Sequence, residues 1–300
     1  MEDRDAVKEK RNKQARVRKM KTFIVSFIMI GLLVSLLSNA FLLFKMFSFE
    51  KRITKVEESK SHGLISGSKS KPGTLTLSDS GTGEANLANP NDTLKVYLTF
   101  DDGPSKNTSR ILDTLDDYGV KATFFVNGRT SKSAKASYKR IVNEGHTIGM
   151  HSYSHKYSDV YASLSSFKSD YVKIHDLIKK YTGVDTKLYR FPGGSSNKVS
   201  GQDMSYFINF LNENHIKYFD WNISSGDATS KAYTSDELIE NVMNDVVKYK
   251  TSVVLLHDAD EKGATVDALP RLIEELQSKG AIILPISDDT DLIQHVTLEN

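Results

Sequence analysis

Lys95-Val-Tyr-Leu-Thr-Phe-Asp-Asp-Gly-Pro104 decides the fold. The short apolar run 96–100 reads as a buried strand bounded by turn residues. It ends on two adjacent carboxylates, Asp101 and Asp102, and a Gly-Pro turn, where a nucleotide-binding fold would carry a G-x-G-x-x-G phosphate loop. The same ending recurs twice. Residues 147–150 run into His151, and residues 252–256 run into His257. Groups that ionise or bind metal seldom gather at strand ends for packing reasons, whereas parallel barrels build their sites where the strands finish.

Outward from this strand, residues 94 to 286 alternate regularly. Strands are expected at 95–100, 122–126, 147–150, 187–190, 217–222, 252–256 and 281–285, and helices at 108–118, 133–144, 164–181, 202–214, 235–249 and 266–278. Gly119, Gly145, Gly183 and Gly280 fall just past four of the helices, where left-handed caps are expected. Alternating strands and helices imply right-handed βαβ units and a parallel sheet. An open doubly wound sheet and a closed barrel both satisfy this order. The missing phosphate loop favours the barrel.

The remainder of the 300 residues has another character. Net charge is only +2, so nothing global favours nucleic acid, and the absence of cysteine excludes disulfides and thiolate chemistry. Residues 1–21 hold nine Lys and Arg against four acids, directly before the 23 uncharged residues 22–44. About 20 helical residues span hydrocarbon, so 22–44 is expected to be a transmembrane signal-anchor with the basic segment in the cytoplasm. Ser38-Asn39-Ala40 is a weak cleavage site, and apolar residues continue beyond it. Residues 45–92 are expected to form an extracellular stalk: from 59 on they are rich in Ser, Gly, Lys, Asn and Thr and hold no aromatic residue. As a random coil that stretch reaches on the order of 30 Å. Residues 93–300 form the globular domain, placed outside a single-pass anchor.

Several residue groups in that domain suit metal-assisted hydrolysis. His151-Ser-Tyr-Ser-His155 places two imidazoles four residues apart, a spacing that aligns them on one face of a helical turn. Two His and one Asp leave a coordination position open, as catalytic metal sites do. Arg190-Phe-Pro-Gly-Gly-Ser195 combines an Arg able to clamp a carboxylate with a turn whose N–H groups could hold an oxyanion. His257 suits a general acid, with Asp227 or Asp258 as the carboxylate that keeps it protonated. His62, His175, His215 and His295 are expected to face solvent or be satisfied locally, and His146 to be structural.

Taken together, Thr99-Phe-Asp-Asp-Gly103, His151-Ser-Tyr-Ser-His155, Arg190-Phe-Pro-Gly-Gly194 and Leu255-Leu-His257 resemble, in order and spacing, the motifs of the polysaccharide deacetylases, the family 4 carbohydrate esterases. The resemblance implies an α/β fold, a distorted (β/α)7 barrel of parallel strands, with one divalent metal, Zn²⁺ or in its place Co²⁺ or another divalent ion. It implies Asp102, His151 and His155 as ligands, Asp101 as general base, His257 as general acid and Arg190 as the group orienting Asp101. The Gly193 amide would face the oxyanion, Leu255 would line the acetyl pocket, and Pro192 and Trp221 would border the substrate. One motif departs: the family usually carries Asp-Trp after the fifth strand, and here Asp227 is followed by Ala228. The resemblance implies Asp227 as the partner of His257, and the missing aromatic removes one wall of the substrate groove. The function implied is removal of N-acetyl groups from an amino-sugar polymer of the cell wall, peptidoglycan N-acetylglucosamine first. A secreted poly-N-acetylglucosamine is the alternative polymer, and an inactive sugar-binding module would lack Asp101 or His257. Neither a nucleic acid nor an obligate protein partner is expected.

Overall fold

The computed structural model describes residues 93–298. The expected basic segment, anchor helix and stalk, with His62, lie outside the described residues. Among those described, no helix is long and apolar enough to cross a membrane. The elements follow in the order β1 (Lys95–Asp101), α1 (Thr108–Asp117), β2 (Thr123–Asn127), α2 (Lys132–Asn143), β3 (Thr147–Ser152), α3 (Tyr157–Val160) and α4 (Leu164–Thr182). Then come β4 (Leu188–Tyr189), α5 (Ser205–Glu213), β5 (Lys217–Tyr218), β6 (Ile223–Ser224), α6 (Ser235–Val246), β7 (Thr251–His257), α7 (Gly263–Ser278) and β8 (Ile282–Ile283).

Every strand pairing is parallel, in the order β5-β4-β3-β2-β1-β7-β6, with β8 beside the start of β1. The curled sheet with helices on its outer face fits the barrel expectation. Side chains alternate across a strand, and here the alternation separates two cores. Val96, Leu98, Phe100, Phe124, Val126, Ile148, Met150, Val254 and Leu256 meet the helices. Tyr97, Phe125, Leu188, Phe219 and Val253 fill the inside of the curl with Ile286. Polar residues of the inner set, Thr99, Asp101, Asn127, His151 and Arg190, are buried as well. Gly149 also lies on the inner face, where a Cβ would come within 2.6 Å of the Phe125 ring, so the missing side chain gives Phe125 its place.

All four expected cap glycines adopt positive φ, from 63° at Gly119 to 82° at Gly183. The expected strand 217–222 is corrected: β5 ends at Tyr218, and β6 begins beyond the expected bounds at Ile223. Phe219 N–H still bonds Tyr189 in line with β4, but Asp220 N–H turns to the Ile293 carbonyl and Asn222 to Val253 beside β7. The chain changes partner there, and the Asn222 amide bridges the gap by donating to the Thr251 carbonyl and accepting from Val253 N–H, both at 2.8 Å. Residues 293–296 cover this seam. Gln294 donates to the Tyr218 carbonyl, Tyr218 Oη donates to the Val296 carbonyl, and Val296 N–H donates to Ser195 Oγ.

Candidate active site

β1 and β7 run in register over their whole length, and the register pairs Asp101 with His257 at the carboxyl ends. Asp101 is the last inward-facing residue of β1. Its Oδ1 accepts from Arg190 Nη1 at 2.9 Å. Arg190 follows β4 and is wholly buried, an expensive placement for a charge unless it is paired and hydrogen-bonded. The other donors of the guanidinium are accordingly engaged: Nη1 with Thr99 Oγ1 at 2.6 Å, Nε with the Phe219 carbonyl at 3.0 Å and Nη2 with the Asp220 carbonyl at 2.9 Å. The Phe125 ring lies against it at 4.2 Å. Arg190 is therefore fixed, and it fixes Asp101 with the second carboxylate oxygen turned to within 3.9 Å of His151 Nε2.

Asp102 leaves the strand with φ 76°, which swings its carboxylate away from that of Asp101. Its Oδ1 lies 3.7 Å from His151 Nε2 and 3.1 Å from His155 Nε2, and the two ring nitrogens are 3.2 Å apart. Asn127 Nδ2 donates to the same oxygen at 3.1 Å. His151 is the penultimate residue of β3 and its Nδ1 sits 2.7 Å from the Arg190 carbonyl. A carbonyl only accepts, so Nδ1 carries the proton and the Nε2 lone pair faces Asp102.

The expected helical turn between the two histidines is not formed, which corrects the sequence reading. His151 is in a strand, and His155 sits in the loop with φ 52°. Buried Asp170 of α4 shapes that loop by accepting from Ser152 Oγ and from Tyr153 and Ser154 N–H, at 2.7, 2.7 and 2.9 Å. Ser152 Oγ then accepts from His155 N–H at 2.9 Å. Side-chain acceptors have taken the N–H groups that a helix would direct to its own carbonyls.

Three lone-pair donors converging at these separations fit one small divalent ion. Ligand atoms about 2.0–2.1 Å from a tetrahedral zinc lie roughly 3.3 Å from each other. Asp102, His151 and His155 are also the one group of at least three such donors among the described residues. Protonation points the same way. Burial works against the charge of the Asp102 carboxylate, yet the three histidines around it hold its pKa below the ordinary value. Burial, aided by His151, lowers that of His155. Carboxylate and neutral imidazole are the forms that bind metal.

Across the site, His257 contacts Asp227 and not Asp258. Asp227 Oδ1 lies 2.7 Å from His257 Nδ1, and Oδ2 accepts from His257 N–H at 2.8 Å and from Thr265 Oγ1 at 2.9 Å. Asp258 instead ties down the turn after β1, accepting from Ser105 Oγ and Thr108 Oγ1, both at 2.6 Å, and packing so closely on Gly103 that a Cβ there would meet it at 2.2 Å. Burial opposes the imidazolium of His257, but the hydrogen bond and charge of Asp227 outweigh it and raise the pKa. Asp227→Asn would keep an acceptor for Nδ1 and remove the charge. His257 should then lose its proton at lower pH, so the alkaline limb of kcat/KM should move to lower pH and kcat should fall about 100-fold. A pH–rate profile of the variant that superimposes on the parent's would exclude Asp227 from this role.

Pro192 and Gly193 occupy the middle of a turn closed by Gly194 N–H to the Phe191 carbonyl at 2.8 Å. Gly193 has φ 78°, as the third residue of a type II turn requires. Leu255 is buried on β7. Trp221 stands edge-on to His295 at 4.9 Å and close over Gly194. Of the other histidines, His146 is buried, accepts from Ala122 N–H at 3.1 Å and has a pKa lowered to about 4 by burial and the nearby Lys121 and Arg140. His175 pairs with Asp185, and His295 with the Trp221 carbonyl.

The cleft beside Asp102 and His155 has a volume of about 350 Å³ and is lined in part by Asn127, Arg129 and Asp260. Asn127, Asp170 and Thr99 position the site and were not anticipated. Asn127 ends an apolar run just as Asp101 does, so the strand-end rule could have found it. Asp170 shows no such signal within its helix.

Residues 88–208 match the family model described as polysaccharide deacetylase. The chain is 35% identical over 191 residues to the putative polysaccharide deacetylase YheN of Bacillus subtilis, a match covering 62% of this chain and 64% of that protein. It is 30% identical over 198 residues to a peptidoglycan-N-acetylglucosamine deacetylase of Bacillus cereus, covering 65% of this chain and 68% of that one. Among solved structures, the catalytic domain of a peptidoglycan N-acetylglucosamine deacetylase from Eubacterium rectale superimposes with a TM-score of 0.65 at 38% identity, over 72% of this chain and 98% of that one.

Proposed function

This chain belongs to the polysaccharide deacetylase family, and from that premise we propose that it hydrolyses the N-acetyl groups of a cell-wall amino-sugar polymer, with peptidoglycan N-acetylglucosamine as the first substrate. The observation that carries this reading is the registered pairing of Asp101 with His257 beside the Asp102–His151–His155 donor set. Two acid–base groups flank one cation site, as amide hydrolysis requires.

Asp102, His151 and His155 would hold the divalent ion. When bound there, such an ion acidifies water and polarises a carbonyl oxygen. Asp101, oriented by Arg190, accepts the proton of the attacking water. The Gly193 N–H, which has no acceptor among the described residues, donates to the carbonyl oxygen as it gains negative charge and the acyl carbon becomes tetrahedral. His257, charged through Asp227, delivers its proton to the sugar nitrogen. The C–N bond breaks, and acetate and a free amine result. Leu255 would border the acetyl methyl, with Pro192 and Trp221 at the edge of the sugar site.

The basic segment 1–21 and apolar segment 22–44 support a membrane-anchored enzyme facing the wall, with 45–92 as its tether. The test is acetate release by the full chain, in detergent, from N-acetylglucosamine oligomers and from peptidoglycan. Chelation is expected to reduce the rate at least 100-fold, and added Zn²⁺ or Co²⁺ to restore it. An undiminished rate after complete metal removal would refute the mechanism. A marked preference for poly-N-acetylglucosamine would move the substrate away from the wall.

A further inference from the structure

Tyr157 opens the one-turn helix α3, two residues after His155. Its ring leans on the His155 imidazole, with centroids 5.7 Å apart, and stacks on Tyr161 at 6.1 Å. Tyr161 is buried and donates through its hydroxyl to the Pro192 carbonyl at 2.9 Å. Two stacked phenols thus connect a ligand of the cation site to the turn that bears Gly193, although Tyr157 itself is 38% exposed.

The Tyr157 hydroxyl lies over Gly193. A Cβ built on Gly193 would lie 3.2 Å from Tyr157 Oη and 3.5 Å from its Cε1, so the space a side chain would take is occupied by the phenol. Among the described residues the hydroxyl has no hydrogen-bond partner. A phenol can donate one hydrogen bond without carrying a charge into the site.

We propose that the Tyr157 hydroxyl is a second donor to the acetyl carbonyl oxygen, acting beside the Gly193 amide in the tetrahedral transition state. The inference rests on the deacetylase reading above. In that reading the carbonyl oxygen lies between the cation site and Gly193, and Tyr157 touches both borders of that interval. Hydrogen bonds aimed at developing charge are among the largest contributions to hydrolysis, and loss of one such donor costs about 100- to 1000-fold. A donor that shares the oxygen with a backbone amide should be worth somewhat less, about 10- to 100-fold. No covalent bond to Tyr157 forms at any step.

Tyr157→Phe removes the hydroxyl and keeps the ring that supports His155 and Tyr161. The experiment compares kcat and KM of full-chain parent and variant on N-acetylglucosamine oligomers, with Zn²⁺ affinity measured by calorimetry. The expected result is a 10- to 100-fold lower kcat, KM within about threefold and unchanged Zn²⁺ binding. A kcat within twofold of the parent's overturns the inference. So does a loss confined to KM, which would mean ground-state sugar binding, or a parallel loss of Zn²⁺ affinity, which would mean support of His155 alone. A parent that releases no acetate overturns the deacetylase reading and this inference with it, whereas an active parent with an equally active variant overturns the inference alone.

Discussion

Asp101→Asn should keep its fold and its Zn²⁺ affinity while losing about 1000-fold in turnover. The two neighbouring aspartates make different contacts, and that allows the separation. Asp102 faces both histidine Nε2 atoms, whereas Asp101 has one oxygen bound to Arg190 and the other 3.9 Å from His151. An asparagine oxygen can still accept from Arg190 Nη1, so the guanidinium keeps its partner. The amide then places an NH₂ group where the proton acceptor stood, and an NH₂ group cannot take a proton from water at neutral pH. Calorimetric Zn²⁺ titration, thermal melting and acetate release measured on one preparation separate the three properties. Turnover within fivefold of the parent's would remove Asp101 from the base role, and a matching loss of Zn²⁺ binding would place it among the ligands.

Arg190→Met should destabilise the fold strongly. Methionine fills similar volume without charge, but it leaves the buried Asp101 carboxylate without its cation and the Thr99 hydroxyl and the Phe219 and Asp220 carbonyls without a donor. Breaking a buried pair by removing one partner costs about 3–5 kcal/mol, a large part of the roughly 5–15 kcal/mol that holds a domain folded. For a domain of this size the thermal midpoint should fall by roughly 10 °C. Adding Asp101→Asn to Arg190→Met should recover part of the loss, because the uncompensated charge then disappears. A single variant that melts with the parent would show that the guanidinium contributes nothing net. A double variant that melts below the single one would show that the cost lies elsewhere than in Asp101.

Much of this architecture was legible because it follows from local rules. Buried parallel strands show as apolar runs, helix ends show as glycines, and Asp101, His151 and His257 stand where runs stop. Two parts were hidden, and both depend on contacts between residues far apart in sequence. The run 217–222 has the composition of one strand, but Asp220 and Asn222 are bound by residues near 293 and 253, and these cut it short. The spacing of His151 and His155 suits a helix. The backbone between them is nonetheless bent by Asp170, whose role is invisible until α4 is packed against β3. From the residues alone the partner of His257 was open between Asp227 and Asp258, and only the family resemblance pointed to Asp227; in the fold His257 bonds Asp227, while Asp258 is engaged by the Ser105 and Thr108 hydroxyls.

The central place of β1 between β2 and β7 also governs how the chain can assemble. β7 lies near the far end of the described domain, so its ladder with β1 closes a very long loop, the kind of contact that forms slowly. Until it forms, β1 offers a bare hydrogen-bonding edge on an apolar strand, Val96 to Phe100, which is a template for other chains. The event that hides this adhesive edge is the one that sets His257 opposite Asp101. A molecule stalled before that step is at once catalytically incompetent and prone to aggregate, so quality control that removes sticky chains also removes inactive ones.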